Sequence, residues 1–128
     1  MVTTTEVGQL SGECILWRDT LRAFRNKFIN YKSTLLQVAS DQKQKEVLLE
    51  IEHLDNQLHI QLINIHDLKH GIKRHMQRIL FERSIHNGNI SDDILARHEY
   101  LYDEFQRLDT TLHIISREFE RFVKYSSR

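Results

Sequence analysis

The chain has 128 residues, 40% of them apolar, and its 18 acidic side chains balance its 18 basic ones. This length suffices for one hydrophobic core, and a net charge of zero gives the whole molecule no electrostatic attraction to nucleic acid or to an anionic membrane. No segment holds the roughly 18 apolar residues that a membrane-spanning helix requires, and the N-terminus lacks the features of a signal peptide. We therefore expect one cytoplasmic domain, residues 1–128, that binds neither membranes nor nucleic acid.

The residues that interrupt helices are scarce in this chain. Proline is absent, and the four glycines lie at positions 8, 12, 71 and 88. Leucine, lysine, arginine, glutamine and glutamate, which favour helices, are abundant. The composition therefore predicts an all-α fold.

The first helix is predicted over residues 12–39 from its apolar residues, which follow one another at alternating steps of three and four. This spacing is a heptad seam, in which one stripe of the helix faces a core. The seam consists of Cys14, Trp17, Leu21, Phe24, Phe28, Tyr31, Leu35 and Val38. A single cysteine excludes an intrachain disulfide and a cysteine-rich zinc site, so Cys14 is interpreted as a packing residue.

The second helix is predicted over residues 41–87. Asp41 followed by Gln44 is a weak capping pair at its start, and Gly88 suits a left-handed C-cap after its end. Gly71 lies within this segment, but its neighbours offer no turn chemistry. We therefore predict one continuous helix.

The third helix is predicted over residues 91–125, because Ser91 and the two aspartates after it suit a helix N-terminus. Its seam is equally regular and consists of Ile94, His98, Leu101, Phe105, Leu108, Leu112, Ile115, Phe119 and Phe122. Short turns make neighbouring helices antiparallel. The sequence therefore predicts an antiparallel bundle of three long helices.

The predicted helices differ in length. At a rise of 1.5 Å per residue the second would be about 65 to 70 Å long, the first about 40 Å and the third about 50 Å. The far end of the second helix would then have only one neighbour and expose a strip made of Met76, Ile79, Leu80, Phe81 and Ile85. Such a strip predicts a homodimer in which two chains complete a larger helical bundle.

Five of the eight histidines can be placed on the predicted helices in a structural role. His59, His66 and His70 lie beside the apolar seam of the second helix, where half-buried, hydrogen-bonded imidazoles are expected. This seam consists of Ile51, Leu54, Leu58, Ile65, Leu68 and Ile72. His75 and His98 lie closer to seam positions, where a polar residue can fix the register of a helical interface. This interpretation gives an oligomeric scaffold with no catalytic role.

A histidine-based metal site is a second possibility. His66 and His70 are one helical turn apart, and an antiparallel third helix places Asp109 and His113 roughly opposite them. These four side chains are the candidate ligands. We regard this as the less favoured alternative, and no metal or other cofactor is expected.

The segment HDLKH, residues 66–70, resembles the H-box of sensor histidine kinases. The resemblance implies that His66 is a phosphoacceptor, since an imidazole nitrogen can attack a phosphoryl group at neutral pH. It also implies that Asp67 accepts or orients the other ring proton and that Lys69 neutralises charge on the transferred group.

The H-box resemblance also suggests a fold and a partner. In that family the histidine lies on a helical hairpin that dimerises into a four-helix bundle, and a response-regulator-like domain is the implied partner. The chain has no glycine-rich nucleotide-binding box, so it cannot be a complete kinase, and histidine phosphotransfer is the most catalysis that we expect. The sequence thus predicts a helical interaction or signalling module.

Two basic stretches are interpreted as solvated helix faces. One follows His66 on the second helix, and the other consists of Arg18, Arg22 and Arg25 on the first, where Asp19 is expected to offset the charge through helical salt bridges.

Overall fold

The computed structural model describes residues 4–85 and 90–126, and the side chains of residues 7–84 and 90–126. These residues form three long helices and no strand, which confirms the all-α prediction. The helices are α1 Thr4–Asp41, α2 Lys45–Ile85 and α3 Asp92–Ser126. None of the three, over the described residues, carries an apolar stretch long enough to span a membrane.

Side-chain contacts between the helices establish the topology. Lys32 of α1 pairs with Asp55 of α2 at 3.1 Å, so these helices run antiparallel over most of their length. Tyr31 of α1 donates a hydrogen bond to Glu120 of α3 at 2.9 Å. Both α1 and α3 therefore run opposite to α2, and the predicted antiparallel three-helix bundle is confirmed.

One hydrophobic core runs along the bundle, and the predicted seams supply most of it. In α1 the seam residues from Cys14 to Leu35 are buried, except for Tyr31, which is half-buried. In α3 all the predicted seam residues are buried except Phe105 and Leu108, which pack against the core from its margin. The heptad pattern thus identified the core-facing stripe of both helices.

The first helix begins earlier than predicted, at Thr4 instead of residue 12. Gly8 and Gly12 lie within α1 with open space around them, so neither glycine acts as a cap. Val7 and Leu10 are buried and extend the seam toward the N-terminus. Burying each of these side chains gains about 1.5 to 3 kcal/mol, whereas each glycine costs a helix about 1 kcal/mol.

The extension of α1 removes the predicted overhang of α2. The three helices have 38, 41 and 35 residues, so their lengths nearly match. Ile79 is fully buried in the single chain, and Met76 is half-buried against the core. Leu80 and Phe81 remain exposed, while the side chain of Ile85 lies outside the described residues. The length argument for a homodimer is therefore wrong.

The ends of α2 differ from the prediction, but its middle does not. The helix begins at Lys45 instead of Asp41, because Gln42 turns the chain and its side-chain oxygen accepts the amide hydrogens of Lys43 and Gln44. The helix continues without a break through Gly71, as predicted. The proposed C-cap at Gly88 lies outside the described residues.

The N-terminus of α3 is capped as predicted. The Ser91 hydroxyl accepts the amide hydrogen of Ile94 at 3.3 Å, and Asp92 and Asp93 occupy the first turn. Negative charge there offsets the positive end of the helix dipole.

Candidate functional site

The histidines beside the seam of α2 are exposed. His66 lies midway along the helix, and His59 and His70 lie on the same side of it. The expected half-burial of these three residues is wrong. The residues of α2 that are buried form a stripe from Ile51 to Ile79, and the three imidazoles lie outside it. The rings of His66 and His70 are nearly parallel, with centroids 6.4 Å apart. The imidazole of His66 is thus open to a partner molecule.

Asp67 and Lys69 lie on different sides of His66. Asp67 is exposed and borders a groove between α2 and α3. Lys69 is half-buried on the side of α2 that faces α1. Burial lowers the pKa of Lys69, and so do Arg22, Arg25 and Arg18 on α1.

Lys69, Arg18, Arg22 and Arg25 form a cationic strip between α1 and α2. In the described part of the chain none of the four lies within ion-pairing distance of a carboxylate. The expected salt bridge to Asp19 is therefore absent. The Nε atom of Arg18 is buried and has no hydrogen-bond partner among the described residues. The strip is a positively charged surface, and its Lys69 lies three residues after His66 on α2.

The four candidate metal ligands predicted from the sequence, His66, His70, Asp109 and His113, do not come together. The Nε2 atom of His113 lies 3.5 Å from Oδ1 of Asp109 on the same helix, and the His113 ring packs edge-on against Phe24 of α1. His66 and His70 instead face solvent. In the described residues, these side chains form no group whose ligand atoms could share an ion.

A different set of ligand-type side chains meets in the core, one from each helix. The Nε2 atom of His75 lies 2.9 Å from Nδ1 of His98. The Sγ atom of Cys14 lies 3.9 Å from the same Nδ1. The three ligand atoms are within 4.8 Å of one another, and all three residues are buried. We call these residues the Cys14–His75–His98 cluster.

Two α1 residues hold the ring of His98. Glu13 places Oε2 at 3.5 Å from Nε2, and the Trp17 ring packs against the imidazole with centroids 4.8 Å apart. The carboxylate favours a proton on Nε2 of His98, so Nδ1 accepts the hydrogen of His75 Nε2. Nε2 of His98 and Nδ1 of His75 have no well-aligned hydrogen bond among the described residues.

Burial keeps the cluster uncharged. It lowers the pKa of His75 to about 4, with further contributions from His98, Arg97 and Arg78. Burial also lowers the pKa of His98, although Glu13 opposes this.

The Cys14 thiol is protonated as well, because burial and the Glu13 charge raise its pKa to about 12. The reactive form of a cysteine is the thiolate. Cys14 is therefore not poised as a nucleophile.

Sequence reasoning missed this cluster because its members are far apart in the chain. Cys14 and His98 are separated by 84 positions, and His75 and His98 by 23. No local motif connects them. The available signal was that all three lie at or near seam positions of different helices, but their alignment depends on the register between the helices.

No protein-family model, curated protein sequence or solved structure matches this chain. Inferences about its function therefore depend on the side chains described above.

The buried imidazoles predict that acid destabilises the fold. The pKa of His75 falls from 6.5 in the unfolded chain to about 4 in the folded one. Its contribution to stability is therefore complete above pH 6.5 and is lost as the pH falls toward 4. Urea denaturation across this range should show a steeper loss of unfolding free energy for the wild type than for His75→Gln. Equal slopes would contradict the prediction, and His59→Gln, at an exposed position, is the matched control.

Proposed function

We propose that the protein is a cytoplasmic helical interaction and signalling module in which His66 accepts a phosphoryl group. The observation that carries this proposal is the exposure of His66 midway along an uninterrupted helix, three residues before Lys69 of the cationic strip. The H-box resemblance of residues 66–70 supports the same role. A rigid helix presents the imidazole in a constant orientation, which in-line attack on phosphorus requires.

The proposed reaction has a simple balance. A ring nitrogen of His66 attacks the phosphorus, the bond from phosphorus to the leaving group breaks, and the proton on the other ring nitrogen passes to solvent or to Asp67. The ammonium of Lys69 and the neighbouring arginines stabilise the negative charge on the transferring oxygens. Because no carboxylate of the described residues pairs with the cationic strip, we take its charge to be available to the phosphoryl group.

The proposed partner is a response-regulator-like domain whose phosphorylated carboxylate exchanges its phosphoryl group with His66. We also propose that two copies of the chain associate through Leu80 and Phe81, which are 53% and 64% exposed at one end of α2. Exposed apolar side chains next to one another are typical of interaction surfaces.

Phosphorylation with phosphoramidate tests the proposed function. The wild type should acquire one acid-labile phosphoryl group, and His66→Gln should remove it while the helical circular dichroism spectrum stays unchanged. His59→Gln is the matched control, because His59 is also exposed and lies two turns earlier on the same side of α2. Lys69→Gln should slow the labelling.

Two outcomes would contradict the phosphoacceptor role. One is the absence of label under conditions that phosphorylate a known phosphoaccepting domain. The other is a label that persists in His66→Gln. The first result would favour a passive scaffold, and the second would assign the label to a different side chain.

A further inference from the structure

We propose that Cys14, His75 and His98 form a binding site for a transition-metal ion, and that Zn²⁺ is the ion that the site suits best. Each helix contributes one ligand atom, and these atoms are all within 4.8 Å of one another. The site is independent of the proposed role of His66, which lies on the exposed side of α2.

Two of the three distances in the cluster are close to those of a tetrahedral zinc site, and the third, between Cys14 Sγ and the His75 ring nitrogen, is at most 4.8 Å and would have to shorten by up to about 1.3 Å. With Zn–S bonds of about 2.3 Å and Zn–N bonds of about 2.0 Å, sulfur and nitrogen ligands are about 3.5 Å apart and two nitrogens about 3.3 Å apart. The cluster has 3.9 Å between Cys14 Sγ and His98 Nδ1, and 2.9 Å between the two imidazole nitrogens. For these two pairs, shifts of about 0.4 Å would bring the atoms to the required separations.

The donor set determines which metals fit. One thiolate and two imidazoles suit zinc and copper, whereas magnesium and calcium prefer oxygen ligands. Zinc imposes no geometry through its d electrons and so tolerates a site built on three helices. Copper is the main competitor of zinc for this donor set.

Glu13 lies next to Nε2 of His98, the ring nitrogen that would not bind the ion. If Nδ1 of His98 binds the ion, Nε2 must carry the proton, and the Glu13 carboxylate at 3.5 Å favours this tautomer. Metal-bound histidines commonly donate their second N–H to a carboxylate, which orients the ring and strengthens it as a ligand. Glu13 is therefore a positioning residue and not a ligand.

Binding would release one proton. The thiol of Cys14 loses its proton to solvent as the metal–sulfur bond forms, and the proton on Nε2 of His75 is replaced by one on Nδ1. The uncharged apo cluster then becomes a site with a net charge of +1, because Zn²⁺ adds two charges and the thiolate subtracts one. The bound ion would then form one bond to each of the three helices and so link them.

A groove beside His75 would give an ion access to the cluster and leave room for a fourth ligand from solvent. His75 borders a groove of about 240 Å³ between α2 and α3, which is also lined by Gly71, Arg74, Arg78 and Arg97. Three protein ligands leave a coordination position for water or an anion. The three arginines favour an anion there, which would offset the charge of the occupied site.

Titration of the chelator-treated protein with Co²⁺ and Zn²⁺ tests the site. Co²⁺ should give a near-ultraviolet thiolate-to-metal absorption band at one equivalent per chain, and Zn²⁺ should abolish it. At free zinc 100-fold above Kd, the Tm should rise by roughly 10 °C. A Tm that stays unchanged at saturating Zn²⁺ but rises with Cu²⁺ would overturn zinc as the occupant.

Variants locate the ion. Cys14→Ser should abolish the absorption band. Glu13→Gln, which keeps the side-chain size at a half-buried position, should weaken zinc binding 10- to 100-fold with an unchanged circular dichroism spectrum. His66→Gln with His70→Gln should leave binding unchanged. The proposal is overturned if wild type shows no thiolate band, or if binding is lost in the His66 and His70 variants and kept in Glu13→Gln. Neither metal result depends on labelling of His66, so the two proposals fail separately.

Discussion

Replacing Ile79 by aspartate is expected to unfold the protein instead of separating a dimer. Ile79 is fully buried within the single chain and belongs to the core that all three helices share. An aspartate there loses the apolar contacts and places an ionised or protonated carboxyl among apolar atoms. The cost should exceed about 4 kcal/mol, a large part of the 5 to 15 kcal/mol that stabilises a typical domain. Urea denaturation followed by circular dichroism measures this loss.

The neighbouring residue is the control for Ile79. Leu80 is 53% exposed in the single chain, so at protein concentrations where the chain is monomeric Leu80→Asp should change the free energy of unfolding by no more than about 0.5 kcal/mol. The same variant tests association, since it should reduce the sedimenting mass from twice 15.4 kDa to 15.4 kDa if the proposed dimer forms. A well-folded Ile79→Asp monomer would show that the N-terminal turns of α1 do not cover this end of α2.

Truncating Phe119 is expected to cost about 3 to 5 kcal/mol, because removal of a buried ring loses its transfer free energy and leaves a cavity. Phe119 is buried in α3 and stacks on Tyr31 of α1, with ring centroids 3.8 Å apart and planes inclined by 19°. Phe119→Ala therefore removes an aromatic contact between two helices as well as apolar area. Chemical denaturation measures the change in unfolding free energy.

Phe81 provides the matched control for Phe119. It is the same residue type in a helix but is 64% exposed in the single chain, so at protein concentrations where the chain is monomeric Phe81→Ala should leave the stability within about 0.5 kcal/mol of the wild type. If both variants lost less than 1 kcal/mol, the seam of α3 would face away from the core. Equal large losses would instead indicate that Phe81 is covered in solution by a second copy or another molecule.

The alternating three- and four-residue spacing was sufficient to identify the helical class and the core stripes of α1 and α3. Such periodicity reports which side of a helix is apolar, and this depends only on residues within a few turns. The Ser91 cap and the continuity of α2 through Gly71 were predictable for the same reason. Both are local properties of the backbone and its nearest side chains.

The start of α1 was not predicted, although Thr3 followed by Glu6 has the spacing of a capping box just before the helix. Gly8 and Gly12 suggest a boundary when propensity alone is considered. Burial of Val7 and Leu10 outweighs that propensity, and the burial exists only in the packed bundle, where both belong to the common core. Packing within the bundle likewise buries Ile79 in the core of a single chain.

The two candidate sites also depended on tertiary structure. The sequence identified His66 and Lys69, but the register between α1 and α2 added Arg18, Arg22 and Arg25 to their surroundings. The Cys14–His75–His98 cluster exists only where three seams meet, with ligand atoms 2.9 and 3.9 Å apart that come from distant parts of the chain. Periodicity determines the angular position of each residue on its own helix. The distance between residues of different helices is determined by how the helices pack, because many side chains along the whole interface share in fixing it.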